Sequence, residues 1–232
     1  MLESLHNNIL ERNLPNMNIT FLENNKRTLL LCVFIALCLA LFLLFPAKNV
    51  VEEFTVNIVF LLVIPLLYIT MIVKKPLSQW GFTRGVFSLR DAGMIGLGLA
   101  LALTLFFALY QWTDFPALYT LPHAVTQNFW AFILYEGFFV GFFVILYEFF
   151  FRGFVLQGLR DALGIWAIAL QWGLLFILFL LVGESLWQGV PFLISSFFAG
   201  IIAYRTQSLY YSLAFSFFFI LLADALVIAL SR

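Results

Sequence analysis

The stretch TLLLCVFIALCLALFLLFPA, Thr28 to Ala47, carries no charged residue and no alternation of polar and apolar positions. A helix needs ~20 mostly apolar residues to cross the ~30 Å hydrocarbon core of a bilayer, and this stretch supplies them. Strands of a membrane barrel would show ~10-residue segments of alternating polarity, which this pattern excludes. Working outward from it, six more stretches read the same way: residues 54–73, 92–112, 128–151, 164–182, 187–204 and 208–230. The expected fold class is all-α, a polytopic transmembrane helical bundle of about seven spans.

Composition points the same way. Of 232 residues, 64% are hydrophobic and 10% charged, with a mean hydropathy of +1.05. A soluble domain has ~45–50% apolar and ~25% charged residues, so almost no polar sequence is left to build one. The expected organisation is a polar cytoplasmic N-terminal arm, residues 1–27, followed by a transmembrane helical domain, residues 28–232. The lipid bilayer is thus the first partner. Net charge is zero and no region is strongly basic, so nucleic acid is not expected as a partner. Cys32 and Cys38 lie inside the first apolar run and read as small core hydrophobes rather than a disulfide. That run starts too late and runs too long for a signal peptide, so no cleavable signal is expected.

Charge placement sets the orientation. With the N-terminus in the cytoplasm, seven spans put Arg12, Lys26, Arg27, Lys74, Lys75, Arg84, Arg90, Arg152, Arg160 and Arg205 on the cytoplasmic side and leave only Lys48 and Arg232 outside. The positive-inside rule expects this skew, so the bundle is read as N-in. The longest internal polar loop, residues 74–91, is punctuated by Pro76, Gly81 and Gly85, and its basic residues suit anionic headgroups. No internal repeat of the transporter kind is present.

Ionisable side chains within a span are functional candidates by default, because they cost ~2.5–3.5 kcal/mol to insert. Glu136, Glu148, Arg152 and Asp224 qualify, with Glu184 at a span end. Asp224 is expected in the last helix, with hydration from its C-terminal end. Glu148 and Arg152 are four apart with the acid first, the favourable order for a helical ion pair, and the pair is expected to fix the end of its helix. Glu136 precedes Glu148 by twelve residues, so a regular helix points the two ~120° apart. They are not expected to form a dyad unless the helix breaks near Gly137 and Gly141. Those glycines also spell G-x-x-x-G, a close helix-packing signal.

At Glu148 the sequence is similar to a known family. The stretch YEFFFRGFVLQGL, Tyr147 to Leu159, resembles the signature of the CPBP intramembrane proteases, the group of CAAX prenyl endopeptidases and Abi or bacteriocin-processing proteins. Their first motif is two adjacent glutamates, three residues, then arginine and usually glycine. Glu148, Arg152 and Gly153 match the second Glu, the Arg and the Gly; Tyr147 stands where the water-activating Glu is expected. The second motif, Phe-x-x-x-His, falls on LLFILFLL with Phe176 at the Phe and Leu180 at the His. The third, His-x-x-x-Asn, follows the turn in AYRTQSLYYSLAFS, Ala203 to Ser216, and places Ser216 at the His and Ile220 at the Asn. QWGF, Gln79 to Phe82, resembles the family's entry to its core. The resemblance covers about 74–225 and implies a divergent member lacking the catalytic Glu, His, His and Asn. No shift of register restores them, because the only histidines, His6 and His123, lie outside every span.

Other routes to proteolysis also lack parts. H-E-x-x-H is absent, as is a Cys/His cluster for zinc. Ser195, Ser196 and Ser216 have no in-span His or Lys as base. An aspartyl mechanism needs two acids sharing a site, and Asp224 is the one in-span aspartate. No metal or cofactor is therefore expected. The function expected from the resemblance is a pseudoprotease, a catalytically degenerate CPBP-like protein of a bacterial plasma membrane. It would bind another membrane protein or a lipidated peptide, with Glu148, Arg152, Gly153 and Phe176 kept for structure. The alternatives are an active endopeptidase with catalytic groups relocated around Glu148 or Glu136, and a small transporter component. For the last, the scattered Gln171, Ser195, Ser196, Ser216 and Asp224 make only a thin polar stripe.

Overall fold

A computed structural model of the chain describes residues 26–45, 47–84, 88–182 and 186–231. The expected arm, apart from Lys26 and Arg27, and Glu184 lie outside the described residues. Those residues form helices and connections with no strand among them. Six helices are long and apolar enough to cross a membrane: α1 Lys26–Leu44, α2 Val50–Val73, α3 Leu89–Trp112, α4 Phe129–Leu163, α6 Leu186–Thr206 and α7 Leu209–Leu230. Between α4 and α6 lies α5, Trp166–Val182, apolar except for Gln171 but only 17 residues long. At 1.5 Å per residue it spans ~25 Å, short of the ~30 Å core. The protein is a multi-pass helical membrane protein, with six helices of spanning length and one shorter apolar helix of 17 residues among the described residues.

Contacts divide the chain into two units, Met1–Leu37 and Cys38–Arg232, the boundary falling inside α1. Both cysteines are free, Cys38 buried and Cys32 exposed, so only Cys38 serves as the small core hydrophobe expected of both. The larger unit holds all the chemistry described below. Within it α6 packs against α3, α5 and α7, and the middle of α4 packs against α5, α6 and α7.

Helix ends follow local sequence. Asn49 caps α2 by accepting from the Glu52 backbone N–H (2.9 Å). Ser88 and Asp91 form a reciprocal capping box at the start of α3. Asn128 accepts from the N–H groups of Trp130 and Ala131 to open α4. α4 runs past 151 to Leu163, the extension that an apolar run continuing through Phe154 leaves open. Arg152 does not end it, because the arginine finds an acid one turn back and the apolar run continues through Leu156.

α4 is also not a regular helix. Tyr135–Val140 and Glu148–Leu156 are wound as π-helix. A π-turn takes one more residue per turn than an α-turn. Between Glu136 and Glu148 the first π segment therefore lets twelve residues sweep the angle of eleven. The two acids end about 20° apart instead of ~120°, and both face α7.

Candidate functional site

The first polar centre lies where α4, α5, α6 and α7 meet. Glu148 and Arg152 are each only 2% exposed. Arg152 Nη2 is 3.4 Å from Glu148 Oε1, and its Nη1 donates to the Tyr147 carbonyl oxygen (3.4 Å). The helical ion pair read from the spacing thus forms. Its acid has a second partner from another helix: the Ser216 hydroxyl donates to Glu148 Oε1 (2.5 Å), and the Ser195 hydroxyl donates to Ser216 Oγ (2.8 Å). The result is a hydrogen-bonded relay from α6 through α7 to α4. Glu148 Oε2 and Arg152 Nε are buried without a protein partner.

A small cavity sits beside this relay, lined by Tyr147, Glu148, Arg152, Ser195, Ser216 and Ile220 among others. It has room for about one water molecule. Tyr147, Ser216 and Ile220, the positions read as degenerate, do converge here. Leu180 does not; it is 46% exposed. Leu175 lines the cavity in its place, and the Phe179 ring packs edge-on against Tyr147 at 5.9 Å. Leu175 and Phe179 are four apart and share the inward face of α5, whereas Leu180 lies about 100° further round. Phe176 stacks on Trp172 at 5.8 Å, away from the cavity lining.

Behind this centre, the stretches that carry the resemblance meet. Gly153 sits where an added Cβ would lie 3.0 Å from Leu209 Cδ1 and 3.3 Å from the Trp80 carbonyl oxygen. The Leu209 N–H donates to the Gly81 carbonyl (2.8 Å). Trp80 stacks on Phe154, with centroids 5.6 Å apart. The FRG, QWGF and YRTQSL segments therefore form one closely packed corner. Of the two G-x-x-x-G glycines, only Gly141 is at a helix contact, against the Phe217 ring; an added Cβ on Gly137 would meet nothing within 4 Å.

A second polar centre was not legible in the sequence. Glu136 and Asp224, both 1% exposed, face each other within hydrogen-bonding reach. Asp224 is buried rather than hydrated from its helix end. Its Oδ1 accepts from the Tyr119 hydroxyl at 2.6 Å. Tyr119 lies in the α3–α4 connection, stacked on the buried Phe115 at 4.9 Å. Burial first, and then Asp224, push the Tyr119 hydroxyl far above the ordinary phenol range, so it stays a donor. Two acids therefore do share a site, with Glu136 as the partner that Asp224 was expected to lack. The in-span serines likewise have an ionisable neighbour, the Glu148 carboxylate beside Ser216.

Gln171 and Ser196 pair separately across α5 and α6: Gln171 Nε2 donates to the Ser196 carbonyl (3.1 Å), and the Ser196 hydroxyl donates to Gln171 Oε1 (3.3 Å). Among the described residues no group of three or more His, Cys, Asp and Glu could hold a metal ion. No family model matches the chain, and neither a curated protein nor a solved structure is significantly similar to it.

Proposed function

We propose that the chain is a catalytically silent CPBP-like protein of a bacterial plasma membrane that works by binding a second membrane protein. One observation carries this reading: the cavity beside Glu148 is too small for a substrate. Attack on a peptide needs its carbonyl within ~3–3.5 Å of the nucleophile, and a cavity with room for about one water admits no peptide. The Ser216 hydroxyl is committed to Glu148. Tyr147 occupies the position of the family's activating glutamate, with its ring packed among Phe143, Phe151, Phe179 and Phe192. The meeting of three resembling segments at Leu209 supports the CPBP-like core. With no room inside for a peptide, the bundle offers its apolar outer surface, which includes Phe138, Phe197 and Phe218.

The test has two parts. The full chain in lipid nanodiscs is incubated with a farnesylated reporter peptide and with an unlipidated control, and products are read by mass spectrometry. No fragments are expected; cleavage lost in Glu148→Gln would restore the endopeptidase reading. Photo-crosslinking side chains are then placed at Phe138, Phe197 and Phe218 in native membranes. A discrete adduct with one membrane protein is expected, and adducts with lipid or lipidated peptide alone would overturn the proposal.

A further inference from the structure

Glu136 and Asp224 stand apart from the Glu148 centre. Ile220, Phe219, Val140 and Val144, all in the buried apolar core, come between them along α4 and α7. The groups that face the pair are few. Tyr119 donates to Asp224 from the connection, and Tyr135 on α4 is close enough to both acids to feel their charge. No cation among the described residues lies against the pair. Both carboxylate oxygens of Glu136 are buried without a donor, although the side chain is aimed at Asp224.

This arrangement is chemically incomplete. Two carboxylates buried this deeply beside each other are not both ionised, because burial disfavours each charge and each repels the other. An ion pair would relieve them, but no Lys, Arg or His among the described residues is placed to form one. A single proton bonded to one carboxyl and donated to the other would relieve both defects at once. It removes one charge and gives Glu136 the partner it lacks. The Tyr119 hydroxyl then stabilises the remaining charge on Asp224. A small metal cation fits less well, since it would need more oxygen ligands than two carboxylates and a phenol, and the phenol points its hydrogen at Asp224.

We propose that Glu136 and Asp224 form a membrane-embedded proton-binding site, holding one proton between their carboxyls. The proton exchanges from the side of the α3–α4 connection. Glu136 lies two turns from the start of α4, Asp224 less than two turns from the end of α7, and Tyr119 reaches them from that connection. On the other side the apolar layer at Ile220 insulates the site from Glu148. The ligand is the proton itself, and the reaction is reversible proton uptake, in which one carboxyl oxygen gains the O–H bond that a water or hydronium outside loses.

The proposal is tested by infrared spectroscopy of the full chain in nanodiscs at neutral pH, comparing H₂O with D₂O. Wild-type protein should show the C=O stretch of a protonated carboxyl with an isotope shift. The double variant Glu136→Gln/Asp224→Asn should lack that band while keeping its far-ultraviolet helical signal and monodisperse elution. Tyr119→Phe, which keeps both acids, should shift the band without removing it; this variant decides the matter if the double one does not fold. A wild-type spectrum with no protonated carboxyl, or a band unchanged in both variants, overturns the proposal. So does a melting temperature that rises with sodium chloride but not with choline chloride, which would make the site one for a metal cation.

Discussion

Replacing Arg152 by alanine isolates what the ion pair does. In the wild type Arg152 is 2% exposed and contacts Glu148 Oε1 and the Tyr147 carbonyl. The variant strands Glu148 in an apolar interior, with the Ser216 hydroxyl still donating to it. Removing one partner of a buried pair costs ~3–5 kcal/mol. Thermal unfolding in detergent at pH 7, followed by circular dichroism, should therefore place the variant well below wild type. The companion Glu148→Leu/Arg152→Met, which removes both charges, should recover most of the loss. A variant as stable as wild type at pH 7 would refute the structural role given to the pair. So would a double variant no better than Arg152→Ala.

Other substitutions probe the same corner. Ser216→Ala breaks the relay at its centre, removing one donor from Glu148 and the acceptor of Ser195, and should cost ~1–3 kcal/mol in the same melts. Gly153→Leu drives a side chain into Leu209 and the Trp80 carbonyl, 3.0 and 3.3 Å from where its Cβ would stand; ~1–3 kcal/mol of destabilisation is expected, while Gly137→Leu on the same helix should be near neutral. Tyr147→Glu restores the family's first glutamate, yet should yield no cleavage of the farnesylated reporter by mass spectrometry, since α5 and α7 still present Leu175 and Ser216 rather than histidines.

Elements were legible where burial in lipid dictates them and obscure where a single residue decides register. The start of every helix from α2 onward fell within about four residues of the apolar runs, because hydrocarbon thickness fixes helix length. The end of α4 did not, because Glu148 neutralises Arg152 and hides the usual stop. In LLFILFLL nothing polar marks the inward face, so Leu180 and Phe179 could not be told apart from composition; packing against Tyr147 chooses Phe179. Ser216 and Ile220 could be placed because the turn at Gln207, with its left-handed φ of 54°, starts α7 close by. The Glu136–Asp224 pair was missed for a definite reason. A helical wheel at 3.6 residues per turn sends Glu136 and Glu148 to different neighbours, and the π segment that realigns them has no sequence signature beyond Gly137 and Gly141.

Because both acids face α7, the residues of that helix decide whether the two polar centres communicate. On α7 and its cap, Ser208, Ser212, Ser216, Ile220 and Asp224 repeat every four residues, and all five are buried. The line is polar at every step except Ile220, the position that the resemblance would give to asparagine. With one apolar side chain there, Glu148 keeps its serine relay and Asp224 keeps its tyrosine, and Ile220 separates the two along α7. A polar side chain at 220 would link the arginine-paired acid to the acid pair through one α7 face. Buried polar groups act as a unit once connected, so Ile220→Asn should couple the two centres. In a double-mutant cycle, Ser216→Ala and Tyr119→Phe are expected to be additive in the native background, because Ile220 separates them. In the Ile220→Asn background they should be non-additive by ~0.5 kcal/mol or more. Non-additivity in the native protein would mean that Ile220 does not insulate. Continued additivity in the Ile220→Asn background would place the barrier elsewhere in the apolar layer of Val140, Val144 and Phe219.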